Sequence, residues 1–273
     1  MSHPSPAADP SPEVLYEVSD HIATLTLNRP ERMNTISRAM LNQLTEQLLI
    51  ADRDPDVRVV ILTGKGRAFC AGLDLTEVTS PGEGGISNGT TQSTNLDLKS
   101  TPPTVMFNME KPTICALNGS AAGYGLDTAL GCDIRIMAKN AKLAAAFTKR
   151  GIVPESGGTW FLPRLIGWSK AAELIFTGRT LLADEALAMG LVSQVVEDDQ
   201  VQTLARALAT EIAANAPLAV QASKRMMRMG LSETFNDHVH HVFLQLLPLL
   251  KTHDAREGML AFMEKRAAIF EGR

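Results

Sequence analysis

The ten residues from Asn118 to Asp127 read Asn-Gly-Ser-Ala-Ala-Gly-Tyr-Gly-Leu-Asp. They follow an apolar run, Thr113 to Leu117, that predicts a short strand, and they lead into an apolar helix over Leu126 to Leu130. Gly119, Ala121, Ala122, Gly123 and Gly125 strip the main chain of bulk, so it can approach another segment closely. A turn that ends on a helix N-terminus points peptide N–H groups outward. Such a turn suits a negative charge or a polarised carbonyl oxygen. The stretch Arg67-Ala-Phe-Cys-Ala-Gly-Leu-Asp74 repeats the arrangement after an apolar strand, Val57 to Thr63. Two strand-then-small-residue turns suggest two N–H donors converging on one oxygen, an oxyanion hole built from backbone.

The rest of the pattern is strand and helix in alternation. Val14 to Val18 and His21 to Leu27 predict a hairpin or two adjacent strands. Ser37 is a candidate N-cap for a helix whose apolar face is Met40, Leu41, Leu44 and Leu48, and Asp54-Pro55-Asp56 breaks it. Strand, helix, strand is the signature of a parallel sheet. Thr76 to Asn95 is rich in Gly, Ser and Thr and predicts a mobile loop or lid. Ile134 to Ala138 is a further apolar strand, and Gly151 to Gly158 a loop. Helices are expected over Trp160 to Ile166, Lys170 to Phe176 and Ala183 to Met189, then a short strand from Val192 to Val196. From Asp198 onward everything reads as helical, the last segment running from Ala255 to Phe270. This divides the chain into a tail (1–12), an α/β core (13–197) and a helical region (198–273). The helical region carries more apolar face than it can bury alone.

Composition narrows the class. The net charge is -4, which gives no sign of a nucleic-acid surface. The three cysteines, Cys70, Cys115 and Cys132, form no CxxC pair, so neither a zinc site nor a disulfide framework is expected, and a reducing cytoplasm fits. No apolar run approaches the roughly 18–20 residues of a membrane span. Four prolines and no apolar core mark Met1 to Pro12 as a disordered tail and not a signal peptide.

From about Val14 to Phe270 the chain resembles the crotonase superfamily, the enoyl-CoA hydratase/isomerase family. The resemblance is carried by Ala68-Phe-Cys-Ala-Gly-Leu-Asp-Leu75, by Lys111-Pro to Asp133, by Gly151 to Arg164 and by Thr177-Gly-Arg with Ala183 to Val195. The tail Glu257 to Arg266 adds to it. It implies an α/β fold, a ClpP/crotonase-like spiral of βαβ units whose C-terminal helical region builds trimers, often paired into hexamers. It implies an acyl-CoA thioester as ligand; coenzyme A arrives as part of the substrate, and no separate cofactor is expected. The oxyanion donors carry over to the backbone N–H of Cys70 and Tyr124, the latter a position that is often Gly in the family. Arg32, Met33, Ala68, Ala71, Gly72, Leu73 and Phe147 fall at substrate and CoA contacts. So do Phe262 and Lys265, commonly across a subunit boundary.

The carboxylates decide which reaction the resemblance implies. Of three family positions, the first falls on Asp127, usually Glu in hydratases. The second falls on Phe147, where hydratases carry their other Glu. The third falls on Glu155, where several isomerases carry an acid. Phe147 can neither hold water nor accept a proton, whereas an isomerase needs only a base that takes a proton from one carbon and returns it to another. Glu155, with Asp127, fits that need, so double-bond isomerisation of an enoyl-CoA is the expected reaction. The alternatives are a hydratase that holds water between Asp127 and Glu155, a thioester hydrolase or dehalogenase, and an inactive CoA-ester-binding trimer. Asp74 reads as a structural acid and the Cys70 thiol as a packed side chain. His238 and His241 read as a solvated or interface face and not a metal site, and Lys224, Arg225 and Arg228 as an ordinary wet surface, with a meeting with CoA phosphates as the alternative.

Overall fold

The computed structural model describes residues 12–78 and 101–273. The tail up to residue 11 and most of the loop expected after Thr76 lie outside the described residues. Strands β1 (Val14–Ser19) and β2 (Ile22–Leu27) form an antiparallel hairpin whose turn residues Asp20 and His21 both take left-handed backbone. Helix α1 (Arg38–Arg53) begins where the Ser37 hydroxyl accepts the Met40 N–H at 2.9 Å, a cap worth about 1 kcal/mol. It buries Met40, Leu44, Leu48 and Ala51, one residue per helical turn.

Strand β3 (Val59–Gly64) is buried at all six positions, as a strand covered on both faces must be. It pairs in parallel with β2 and with β5 (Thr113–Leu117). The sheet continues through β7 (Ile134–Ala138) to β10 (Gln194–Val196). A second sheet is built from short strands: β4 (Ala68–Cys70), β6 (Ser120–Ala122), β8 (Lys142–Ala144) and β9 (Thr180–Leu182). The two small-residue stretches are therefore strands of this second sheet before they are turns. Their three-residue length is too short for periodicity to reveal. The helices of this part are α2 (Leu75–Val78), α3 (Pro102–Asn108), α4 (Tyr124–Gly131), α5 (Gly158–Ile166), α6 (Trp168–Thr177) and α7 (Ala183–Ala188).

In the helical region, α8 (Val201–Ala213) lies on β3, β5 and β7. It buries Val201, Ala205, Ala209 and Ala213, small residues that let it approach closely. Pro217 opens α9 (Pro217–Met229). The face expected to be wet is instead engaged. Lys224 pairs with Asp133 at 2.8 Å and Arg225 with Glu110 at 2.6 Å, while Arg228 reaches the Phe107 carbonyl. The acids that claim these side chains come from other elements, which no local pattern shows. Helix α10 (Phe235–Leu249) buries none of its own residues. The last helix, α11 (His253–Glu264), stops six residues short of the expected end at Phe270. Lys265 takes left-handed backbone, and the tail folds back so that the Glu271 and Gly272 N–H groups donate to the buried Asp254. Among the described residues no helix is long and apolar enough to cross a membrane.

Candidate active site

The site is assembled where β4 and β6 run side by side. Their register sets Ala68 opposite Ser120 and Cys70 opposite Ala121, with a slip between them. The approach is closer than any side chain permits. A Cβ on Gly119 would stand 2.3 Å from the Arg67 carbonyl oxygen, and one on Gly125 would stand 2.3 Å from that of Cys70. At Gly123 the demand is conformational: space is open there, but φ is 52° and ψ -126°. That bend ends β6 and starts α4 at Tyr124, two residues before the expected helix start. Tyr124 is thus the first residue of the helix, and its N–H has no partner within it. Gly72 joins the two turns, since its Cβ position lies 3.8 Å from the Tyr124 nitrogen. The Ala71 N–H is committed to the Met33 carbonyl at 3.0 Å.

Side chains lock both turns in place. Asn118 accepts from the Gly64 N–H and donates to the Gly66 carbonyl. Asn34, fully buried, accepts from the Arg29 N–H and donates to the carbonyls of Lys65 and Ala68, which ties the Met33 loop to β4. Sequence reasoning missed Asn34, because the two carbonyls it donates to lie 31 and 34 positions away. Asp74 behaves as the structural acid expected. It accepts from Thr76 and pairs with Arg29 at 3.0 Å, and these bonds hold its carboxyl below the usual range although burial opposes them. Arg32 lies 3.8 Å from the same carboxylate, half exposed, and the neighbouring Met33 is exposed as well. Burial pushes the Cys70 thiol up to about 12, so at neutral pH it is a packed neutral group and no nucleophile.

Three expected positions, Asp127, Phe147 and Glu155, differ sharply in exposure. Phe147 is buried. Asp127 is 0% exposed; its Oδ2 accepts the Ser156 hydroxyl at 2.8 Å, and its Oδ1 has no hydrogen-bond partner. Loss of solvation pushes its pKa up to about 7; the neighbouring Ser156 and Gly158 groups oppose the rise and Glu155 adds to it. A Cβ on Gly158 would stand 2.3 Å from Oδ1, so only glycine lets the loop seat against this acid. Glu155 keeps an exposed surface, yet lost solvation at its carboxyl raises its pKa too. Its charge acts on both Tyr124 and Asp127, so the loop 154–158 brings it to the turn.

Asp127 therefore costs stability at neutral pH. Its folded pKa lies above its unfolded value near 4, so stability is full when the acid is protonated and falls as pH rises between about 4 and 7. Three pKa units correspond to on the order of 4 kcal/mol. Asp127→Asn removes this dependence. Thermal unfolding at pH 4 and pH 8 should show the stability difference moving in favour of Asn by that order. A constant difference would mean the acid is ionised throughout.

Among the described residues no three metal-ligating side chains cluster to hold a metal. His238 and His241 both bond to Glu233, at 3.2 and 2.9 Å. Phe262 is 85% exposed, and Lys265 is exposed beside it. A separate apolar cavity of about 840 Å³, lined by Phe107, Trp160, Arg164 and Met227, contains no residue of either turn.

Comparison with known proteins shows the family. The family model for enoyl-CoA hydratase/isomerase matches residues 17–273. The (E)-benzylidenesuccinyl-CoA hydratase of Thauera aromatica is 39% identical over 95% of this chain and 99% of its own length. The 1,2-epoxyphenylacetyl-CoA isomerase of Escherichia coli is 35% identical over 95% and 98%. The crystal structure of an enoyl-CoA hydratase from Bacillus anthracis superposes with a TM-score of 0.87 at 34% identity, covering 96% of this chain and all of that one. With paired short strands, a helix opening on a glycine bend and matches along nearly its whole length, this chain belongs to the enoyl-CoA hydratase/isomerase family of the crotonase superfamily.

Proposed function

We propose that the protein isomerises the double bond of an enoyl-CoA thioester through an enolate. The backbone N–H groups of Cys70 and Tyr124 hold the thioester oxygen, and Glu155 moves the proton. Removing a proton beside a thioester carbonyl places negative charge on that oxygen, and a donor of such a hole is worth about 3–4 kcal/mol in the transition state. The observation that carries the reading is the contrast among the three positions. Phe147 supplies no carboxylate, Asp127 is sealed against Ser156 and Gly158, and Glu155 alone keeps an exposed surface with a raised pKa. One accessible base suits a proton shuttle between two carbons. A water held between two acids would need the second one accessible.

The hydratase reading is supported by several relatives with hydratase names, among them the (E)-benzylidenesuccinyl-CoA hydratase and the Bacillus anthracis enoyl-CoA hydratase. The relative named 1,2-epoxyphenylacetyl-CoA isomerase supports isomerisation. Arg32 and Met33 at one edge, with Ala68, Ala71, Gly72 and Leu73 along the first turn, are proposed to contact the CoA ester. Phe262 and Lys265 are proposed to reach it from a neighbouring subunit of a trimer or hexamer. Phe243, Leu244, Leu247 and Met263, exposed on α10 and α11, support such an assembly.

The test is incubation with paired 2-enoyl and 3-enoyl CoA esters in deuterated water, read by NMR and mass spectrometry. The expected result is interconversion of the pair with deuterium entering at the α- and γ-carbons and no gain of a water mass. A 3-hydroxyacyl product would replace isomerisation with hydration. Sedimentation of the same sample as a monomer would overturn the assembly.

A further inference from the structure

Two buried polar atoms beside the two turns have no partner in the protein: the Tyr124 hydroxyl and Oδ1 of Asp127. They sit three residues apart in the first turn of α4, a spacing that puts both on one face of the helix. They do not bond each other, and Glu155 does not take the phenol's proton either. Tyr124 is only 6% exposed, so bulk water does not serve its hydroxyl. Burial, then the charge of Glu155, then that of Asp127, raise its pKa, so the hydroxyl stays protonated and available as a donor. Tyr16 and Thr35 also carry unpartnered hydroxyls. Tyr124 differs because its electrostatic neighbours are the two acids of the site and its own main chain forms the turn.

A buried hydroxyl left without an acceptor destabilises the fold, and a glycine at this position would avoid the cost. We infer that the Tyr124 hydroxyl is a ligand-binding donor for a second oxygen, distinct from the thioester oxygen. That oxygen is carried by the acyl chain near its reacting carbons or by a water in contact with them. The inference rests on the reading of the site as an acyl-CoA site. Its consequence is selectivity: a buried donor that only the ligand can satisfy favours the ester that brings the oxygen over the one that lacks it. The substrate class it points to is an oxygenated acyl-CoA, one bearing a hydroxyl, epoxide, oxo or carboxylate group.

Tyr124→Phe removes the hydroxyl and keeps the ring and the backbone. Calorimetry compares butyryl-CoA with 3-hydroxybutyryl-, 4-hydroxybutyryl- and succinyl-CoA. In the wild type at least one oxygenated ester should bind tenfold or more tighter than butyryl-CoA, and in the variant that ratio should collapse towards one. Thermal unfolding of the ligand-free variant should occur at the same temperature or higher, because an unsatisfied group has been removed. A ratio unchanged by the substitution, joined to a tenfold slower hydration of crotonyl-CoA, would assign the oxygen to water. An unchanged ratio, joined either to unchanged hydration or to no hydration in either protein, would overturn the inference. So would a lower unfolding temperature, which would reveal a protein partner for the hydroxyl. If no CoA ester binds the wild type, the acyl-CoA reading itself falls, and the inference with it.

Discussion

Glu155→Gln abolishes turnover of the enoyl-CoA pair, with kcat falling by about 10³-fold or more, while the dissociation constant for the CoA ester changes by less than about threefold. The amide keeps the size and hydrogen-bonding length of the acid and removes its ability to take a proton. A loss confined to kcat is the signature of an interaction made in the transition state and not in ground-state binding. Glu155→Asp should retain a measurable fraction of activity, because the base survives on a shorter stem. The pH dependence has a definite sign. A base must be ionised to act, and lost solvation raises the Glu155 pKa, so kcat/KM should fall on the acid side along a limb lying above the usual carboxylate range. In Glu155→Gln that limb should vanish with the activity. Full activity in this variant would end the proposal. A covalent acyl adduct on Glu155, detected by mass spectrometry, would turn the acid into a nucleophile and the protein into a thioester hydrolase or dehalogenase.

Much of the framework was legible in the sequence because its signals are local. The apolar-rich run Thr113 to Leu117 is the strand β5 itself, and Ser37 caps α1 as a serine before an apolar period should. The small-residue turns were legible as places of close backbone approach, and Gly119 and Gly125 bear that out to within ångströms. Features set by distant partners were not legible. Asn34 works through the carbonyls of Lys65 and Ala68, and Lys224 is claimed by Asp133 across the chain. The end of α11 depends on a tail that turns back to Asp254, which a helical period extending to Phe270 conceals. The sealing of Asp127 was hidden for the same reason. Its partner Ser156 lies 29 positions away on the loop that also carries Glu155.

Gly125→Ala should cost both the fold and the chemistry, and the two losses can be separated. The added methyl would stand 2.3 Å from the Cys70 carbonyl oxygen, 2.7 Å from its Cβ and 2.8 Å from its sulfur. The first two obstacles belong to β4 and cannot swing aside as a flexible side chain does. Relief requires α4 and β4 to part by about 1 Å, a displacement that overpacking of this kind makes at a cost of about 1–3 kcal/mol in stability. Tyr124 opens α4 and Cys70 closes β4, so the same movement pulls the two proposed N–H donors apart. Misplacing one such donor lowers kcat by about 10²–10³-fold. Assays run well below the unfolding midpoint, on protein whose circular dichroism is native, isolate the second loss from the first. Leu126→Ala supplies the control, since Leu126 is buried next door and its truncation leaves a cavity without pushing the turns apart. That variant should lose 2–5 kcal/mol of stability, as about any buried Leu→Ala change does, yet hold kcat within a few-fold of wild type at a temperature where it is folded. If Gly125→Ala turns over as fast as wild type, the closeness of the two backbones is a packing feature only, and the thioester oxygen is held by other groups.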